Sequence, residues 1–557
     1  MRTGNILLSV GTAFAAVFLG GGTHTWAQNA ATFSGKVSSP AEPVMEGVIV
    51  GAKKDGTNVT VAVVSDDKGN FSFPAGRLSA GHYKLSIRAV GYDLQGPKEI
   101  DIPAAGGATA DVKLDTTKNL EMQLNNAELM ISAPGTDKQR DMLTNCVGCH
   151  NLQRPLFSTH TVDEFQALFQ RMANYSSGST PMNFQMLYVD GERVRVRPQE
   201  ADATRPRAEF LAKINLSNGP RSYPLKTLPR PTGRATRVIY TRYDLPRPIA
   251  EPHDVVLSPD GHAWYSDFGS AVVGEIEPAS GKVTEYPLPI LKPKSPKGSL
   301  QIAVDPTGNL WIAMMMQGGL AKIDYKTKEI TPYPFPAEDQ NNSTYASMVA
   351  PQHSDIDNVI WTGDQGKHSL YKFHTDTGKY EKVGVATDEN GVHISGYGMP
   401  TDLKNRPYIL EYGNTRIGRV DPQTNVAKIW NVTFGTRTKP RRGRVDSQDR
   451  LWFAAFGSGH IGMFDPVTEQ FAAYMPPTPW ANPYDVEADK NGEVWSGSML
   501  NDRLTRLDPK SGQFVDYLMP GQFTNIRRIF VDNKTARPTI WIGDNHGANV
   551  VHIEPLD

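Results

Sequence analysis

Hydrophobic and polar positions along the chain follow three rhythms in succession. Between residue 31 and about 115 they alternate in short runs, such as Val61-Ala62-Val63-Val64, Phe71-Ser72-Phe73 and Tyr83-Lys84-Leu85-Ser86-Ile87. Turn signals at Asp67-Lys68-Gly69-Asn70 and Ala80-Gly81-His82 separate the runs, which predicts a small antiparallel β-sandwich over 28–115. From 120 to 220 the period turns helical. Thr161-Val162-Asp163-Glu164 has the form of a capping box, and Val162, Phe165, Leu168, Phe169 and Met172 then recur at three- and four-residue intervals. A further helix is predicted over 207–216, with Phe210, Leu211 and Ile214 on one side. Residues 221–237 carry Pro224, Pro229, Pro231 and Gly233 and five basic residues without an acid, and read as an extended, positively charged linker.

The third rhythm, over 238–557, is a repeat. A strand, an Asp/Asn-Gly-type turn and an aromatic-centred strand recur seven times, around Trp264, Trp311, Trp361, Tyr408, Trp452, Trp495 and Trp541. A spacing of roughly 43–50 residues suits four-stranded blades in radial repetition. The last copy lacks a fourth strand, whereas Val238-Ile239-Tyr240-Thr241-Arg242-Tyr243-Asp244-Leu245-Pro246 stands unpaired before the first. That segment is expected to close the ring by completing the last blade. The tryptophans sit at one repeat position and are assigned to blade packing.

At 557 residues the chain exceeds one hydrophobic core. Lysine plus arginine number 58 against 59 acidic residues, so no general affinity for nucleic acid is expected and any electrostatic function must be local. Residues 1–27 read as a secretory signal: Arg2, an apolar run from Ile6 to Leu19, then Thr25-Trp26-Ala27. A periplasmic or otherwise exported protein is expected, with no integral membrane span after signal removal. Only two cysteines exist, in Cys146-Val147-Gly148-Cys149-His150, so no disulfide framework supports the chain.

Cys-x-x-Cys-His meets the need of covalent haem attachment: two thiols spaced for both vinyl groups, with an imidazole next in line for the iron. A thioredoxin-like pair would want a βαβ context, and a structural zinc site would want more cysteines. One haem c is expected, on Cys146 and Cys149 with His150 as the iron ligand. The segment 137–216 resembles a small cytochrome c domain, and the resemblance implies one-electron transfer with His150 proximal. Met172, on the apolar face of its helix, is the expected distal ligand, with Met182 and His160 as alternatives.

Phe33-Ser34-Gly35-Lys36-Val37, Ser65-Asp66-Asp67-Lys68-Gly69-Asn70-Phe71 and Ala89-Val90-Gly91-Tyr92 resemble the carboxypeptidase regulatory-like domain. That fold is shared with some carbohydrate-binding modules, which implies a scaffold first and a carbohydrate site second. The stretch from Tyr408 through Glu411, Ile417, Gly418 and Arg419 to Asp421-Pro422 resembles the virginiamycin B lyase family, over most of 245–555. This resemblance implies a seven-bladed β-propeller. The family's reaction, opening of a cyclic ester by elimination, implies a divalent metal and a histidine base, for which His253, Glu411 and His546 are the catalytic candidates. The fold expected is mainly β, with a β-sandwich, a small all-α cytochrome c domain and the propeller.

Starts of first strands share a face with the turns between second and third strands, so side chains there should converge on the axis. Asp254, Arg441, Arg442, Tyr484, Asp485, Arg527 and Arg528 are the expected substrate contacts, with His460 and Asn545 nearby. The arginines are expected to be exposed, contributing little to folding while drawing an anionic ligand. Three functions follow: a redox protein whose propeller binds a small molecule or partner while electrons pass through the haem, a lyase with an accessory haem, or a non-catalytic recognition protein.

Overall fold

The computed structural model describes residues 33–104, 106–176, 180, 201–217, 222–341 and 343–557. The signal expected over 1–27 and the alternative ligand Met182 lie outside them. Strands dominate, as the alternation implies. The N-terminal unit has nine: β1 (Phe33–Ser38), β2 (Ile49–Lys54), β3 (Val59–Val64), β4 (Asn70–Phe73), β5 (Gly81–Arg88), β6 (Tyr92–Gly96), β7 (Glu99–Ile102), β8 (Ala108–Thr109) and β9 (Val112–Thr116). They form one sheet in the order β4-β1-β9-β6, with β8 beside β1, and a second in the order β3-β2-β5-β7. Phe33, Phe71, Phe73, Val50, Val63 and Leu114 fill the space between.

The ring of sheets begins at β10 (Val238–Asp244) and continues as four-stranded antiparallel sheets over 252–287, 302–334, 346–384, 440–474 and 483–518. A three-stranded sheet spans 408–431, preceded by the isolated bridges Gly398↔Leu410 and Thr401↔Pro407. The inner strand Pro252–Leu257 packs against both the next inner strand and Ile526–Asp532 of the last sheet, so the ring closes on itself. β10 pairs with Asn549–Pro555 from Val238↔Pro555 to Asp244↔Asn549, and the N-terminal segment does complete the last sheet.

The other edge of β10 is also taken. It pairs antiparallel with β3 from Ile239↔Val63 to Tyr243↔Val59, making one continuous eight-stranded sheet that runs from the propeller into the sandwich. Period-two alternation lets one strand serve two cores: Ile239 points into the sandwich, while Val238 and Tyr240 join Trp495, Ile526 and Ile542. Arg88 at the end of β5 adds a buried ion pair to Asp502 at 2.5 Å. The segment read as an extended, positively charged linker bonds to both units. Arg230 bonds Glu42 and the Glu46 carbonyl, Gly233 N donates to Glu46 at 2.8 Å, and Arg234 meets Asp557 at 2.5 Å.

Between sandwich and ring lies the helical segment: α1 (Asn126–Ser132), α2 (Asp137–Asp141), α3 (Gln153–Leu156), α4 (Val162–Met172) and α5 (Ala201–Lys213). The capping box at Thr161 and Glu164 starts α4 as expected. α5 begins earlier than the expected 207 and carries Pro206 inside it, as its sixth residue. Phe165, Phe169, Leu211 and Ile214 form one core with Leu143, Val147 and Leu156. That core also includes Phe456, Tyr484, Met499 and Leu500, so the helices are seated on the ring's axial face.

Candidate functional site

The axial side chains converge through a repeated backbone device. Pairing of first and second strands shifts register between Pro252 and Val255, Ala346 and Val349, Pro440 and Gly443, Pro483 and Asp485, and Ile526 and Ile529. A bulge inserts an extra residue and re-aims its neighbours. His253, Asp254, Met348, Arg441, Arg442, Tyr484, Arg527 and Arg528 all lie at these shifts. A plain alternation pattern would send half of them away from the axis.

Asp254 is the hub. Arg442 holds its carboxylate bidentately, Nη1 to Oδ1 at 2.7 Å and Nη2 to Oδ2 at 2.8 Å, and Arg528 adds a third bond to Oδ2 at 3.0 Å. His253 Nδ1 lies 2.6 Å from Asp254 Oδ1. Its Nε2 accepts from the Tyr484 hydroxyl at 3.3 Å, which accepts in turn from Tyr397 at 2.7 Å. Burial lowers the His253 pKa to about 3, so the imidazole is neutral and this donor order is self-consistent. Burial pushes the Asp254 carboxyl up, but Arg442, Arg528 and His253 outweigh it and hold it well below the usual carboxylate range. Asp485 is bridged by Arg444 at 3.3 Å.

These arginines are not an exposed anion-binding rim. Arg442 is 1% exposed, Arg528 3% and Arg527 5%, and the first two spend their charge on Asp254. The expectation of weakly coupled surface charges is corrected, because desolvated guanidiniums require buried partners. Arg441 stacks on Tyr484 at 3.8 Å and on Phe456 and Tyr412 at 4.6 and 4.7 Å, an aromatic box filled by the protein's own cation. Of the catalytic candidates, Glu411 lies in a two-point ion pair with Arg416 at 2.6 and 2.8 Å. His460 sits against Ser458 and Phe434, and Asn545 donates to the Glu251 carbonyl. Asp260, His262 and Glu275 are the one His/carboxylate group among the described residues close enough to hold an ion. Lys328 Nζ already neutralises Glu275 at 2.5 Å.

The Cys-x-x-Cys-His segment lies directly over this axial mouth. Cys149 N and His150 N both bond back to the Cys146 carbonyl, at 3.2 and 3.1 Å, so the five residues make one tight turn. The ring grips it: Asn525 Nδ2 donates to the Val147 carbonyl at 3.0 Å, and Arg527 donates to the Gly148 carbonyl while its Nε is held by Asn525 Oδ1 at 2.8 Å. His546 also approaches Gly148 and His150, and its buried Nε2 has no hydrogen-bond partner. Burial raises Cys146 to about 11 and raises Cys149 as well, so these are neutral thiols, unlike the lowered-pKa pair that thiol exchange uses. His150 donates Nδ1–H to the Asn151 carbonyl at 2.9 Å, which leaves the Nε2 lone pair available to a ligand-seeking group, and burial lowers its pKa toward the neutral form. The turn therefore presents two adjacent thiols and one oriented, neutral imidazole beside an apolar core, a donor set that fits a covalently held haem. Met172 ends α4, partly buried against the core that holds Cys146. His160 lies at the opposite end of α4, against Phe165 and 4.0 Å from Glu164.

Tyr397, Arg444, Glu487 and Asn525 belong to the axis but escape sequence reading. A doubled polar residue at a strand start, as in His253-Asp254 and Arg527-Arg528, is the signal that could have marked the bulges.

Residues 32–115 match the family model of the carboxypeptidase regulatory-like domain. No curated protein matches the chain. Among solved structures, a streptogramin B lyase is 18% identical over 58% of this chain and 99% of its own, with a TM-score of 0.49. A catalytically inactive virginiamycin B lyase from Staphylococcus aureus with quinupristin is 18% identical over 57% and 99%, at 0.48. The extracellular domain of a hybrid two-component system from B. thetaiotaomicron is 16% identical over 55% and 40%, at 0.43. At such identities no residue's role passes from those proteins to this chain.

Proposed function

We propose that the chain is an exported c-type cytochrome in which a helical haem domain is mounted on a seven-bladed propeller, the irregular stretch 396–401 supplying the inner strand of the fourth blade. Haem supplies one-electron chemistry when bound. Cys146 and Cys149 would hold it through their sulfurs, and His150 and Met172 would be the residues that ligate its iron. One observation carries the reading: the propeller spends Asn525 and Arg527 on the backbone of the Cys-x-x-Cys-His turn, fixing its place from outside the helical segment. Rigid support of this kind is what a redox centre needs if distance and potential are to stay constant. The propeller then binds the small molecule or partner that gives or takes electrons. No described helix is long and apolar enough to cross a membrane.

The test is production in a host with cytochrome c maturation. The expected result is a low-spin c-type spectrum with one iron per chain, and haem that stays with the polypeptide under denaturing electrophoresis. Cys146→Ala and Cys149→Ala should each weaken that attachment. Colourless, iron-free protein from such a host refutes the proposal.

A further inference from the structure

The axis has a second mouth, opposite the one covered by the Cys-x-x-Cys-His turn. A cavity of about 420 Å3 opens there, among the turns that join first to second strands, and reaches inward to Arg442 and Met348. Its size falls within the roughly 300–1,000 Å3 of small-ligand pockets. Leu403, Ser447, Lys490 and Asn533 at its rim are exposed, so it communicates with solvent. Asp254 and its two arginines plug the axis between this cavity and the turn.

The wall's charges cancel. Arg442, Arg444 and Lys490 stand among Asp446, Glu487 and Asp489, three cations among three acidic groups. Asp446 and Asp489 are committed to the indoles of Trp452 and Trp495, each at 2.9 Å. The formal charges lining the cavity sum to zero, so a charged ligand gains no net attraction. Hydrogen-bonding capacity, by contrast, is left over. Glu487 accepts one amide, from Val531 at 3.4 Å, and no ion pair among the described residues reaches its carboxylate. Gln301 uses its carbonyl oxygen on Val349 N, and His353 uses Nδ1 on Thr401, which leaves an amide nitrogen and an Nε2 for a ligand. Spare acceptors and donors on planar side chains, with Met348 and Met399 as an apolar wall, suit a molecule carrying several neighbouring hydroxyls.

We propose that this cavity binds a neutral polyhydroxylated small molecule of the sugar class, with Glu487 and Gln301 reading its hydroxyls. The proposal rests on the propeller being the ligand-binding part and is independent of the haem. The experiment is isothermal titration calorimetry on the full mature chain with D-xylose, D-glucose and sucrose, and with phenethylammonium chloride and sodium succinate as charged probes, at 50 and 500 mM salt. The expected result is saturable binding of at least one sugar, unchanged by salt, and weakened tenfold or more by Glu487→Gln and by Gln301→Ala. Thermal unfolding verifies that both variants are folded. Sugar binding indifferent to both substitutions places the sugar elsewhere and overturns the proposal. Salt-sensitive binding of a charged probe, lost in Glu487→Gln, overturns the ligand class while keeping the propeller as the ligand-binding part. No binding by any probe overturns both.

Discussion

Replacing Arg442 by methionine tests whether the axial charges are structural. The substitution keeps an unbranched side chain of similar reach, but removes two bonds of 2.7 and 2.8 Å from a carboxylate that is 0% exposed. Stranding one partner of a buried ion pair costs about 3–5 kcal/mol. Asp254 retains Arg528 at 3.0 Å and His253 at 2.6 Å, so Arg442→Met should fall at the low end, about 3 kcal/mol. Asp254→Asn strands two buried guanidiniums at once, so it should cost more, about 5 kcal/mol. Denaturant unfolding followed by emission of the buried blade tryptophans gives the comparison, read as a midpoint shift of the propeller transition. Because the Asp254 carboxyl is held below its usual range, its contribution is complete above the unfolded value near 3.9 and disappears as pH falls through the folded one. Wild-type stability from this source should therefore be flat from pH 5 to 8 and decline only in acid below about pH 4. A loss under about 1 kcal/mol in Arg442→Met, or equal losses in both variants, would show the network to be a solvated rim after all.

Met172→Ala should abolish the methionine-to-iron band at the red end of the oxidised spectrum, and survival of that band would move the ligand elsewhere. Asn525→Ala and Arg527→Gln should speed amide exchange at residues 146–150 while leaving haem attachment intact; unchanged exchange would mean that the propeller does not hold the turn. Burial raises Glu487 to about 7, so its side chain is neutral at pH 5 and charged at a cost at pH 8. Glu487→Gln should accordingly stabilise the protein at pH 8 and change little at pH 5, and the reverse order in thermal unfolding would contradict that assignment.

Much of the architecture is legible in the chain because it is written in local periodicity. The Asp/Asn-type turns and mid-strand aromatics mark the successive blades, and the unpaired run at Val238 announces its partner at Pro555. The capping box at Thr161 and the apolar face from Phe165 to Met172 are equally local. What stays hidden is non-local or depends on pairing. Val59–Val64 reads as a sandwich strand, and nothing in its apolar residues says that its free edge will meet Ile239. An arginine looks the same whether solvated or buried. Arg442 becomes structural only because Asp254, 188 positions away, waits beside it. The bulges that aim both inward show only as doubled polar residues at strand starts, which read the same solvated or buried, and so the axial residues look like a rim when they are a plug.

The shared strand also bears on how the molecule is made. β10 and its partner Asn549–Pro555 are separated by everything from 245 to 548, so during synthesis the ring's first strand must wait for its last. β3, however, is finished long before β10 emerges. A chain that assembles from its N-terminus can therefore hand β10 to the sandwich at once, and the nascent ring grows from an anchored template to which its final strand returns. In that order of assembly the sandwich edge is a template available to the propeller before its own last strand exists.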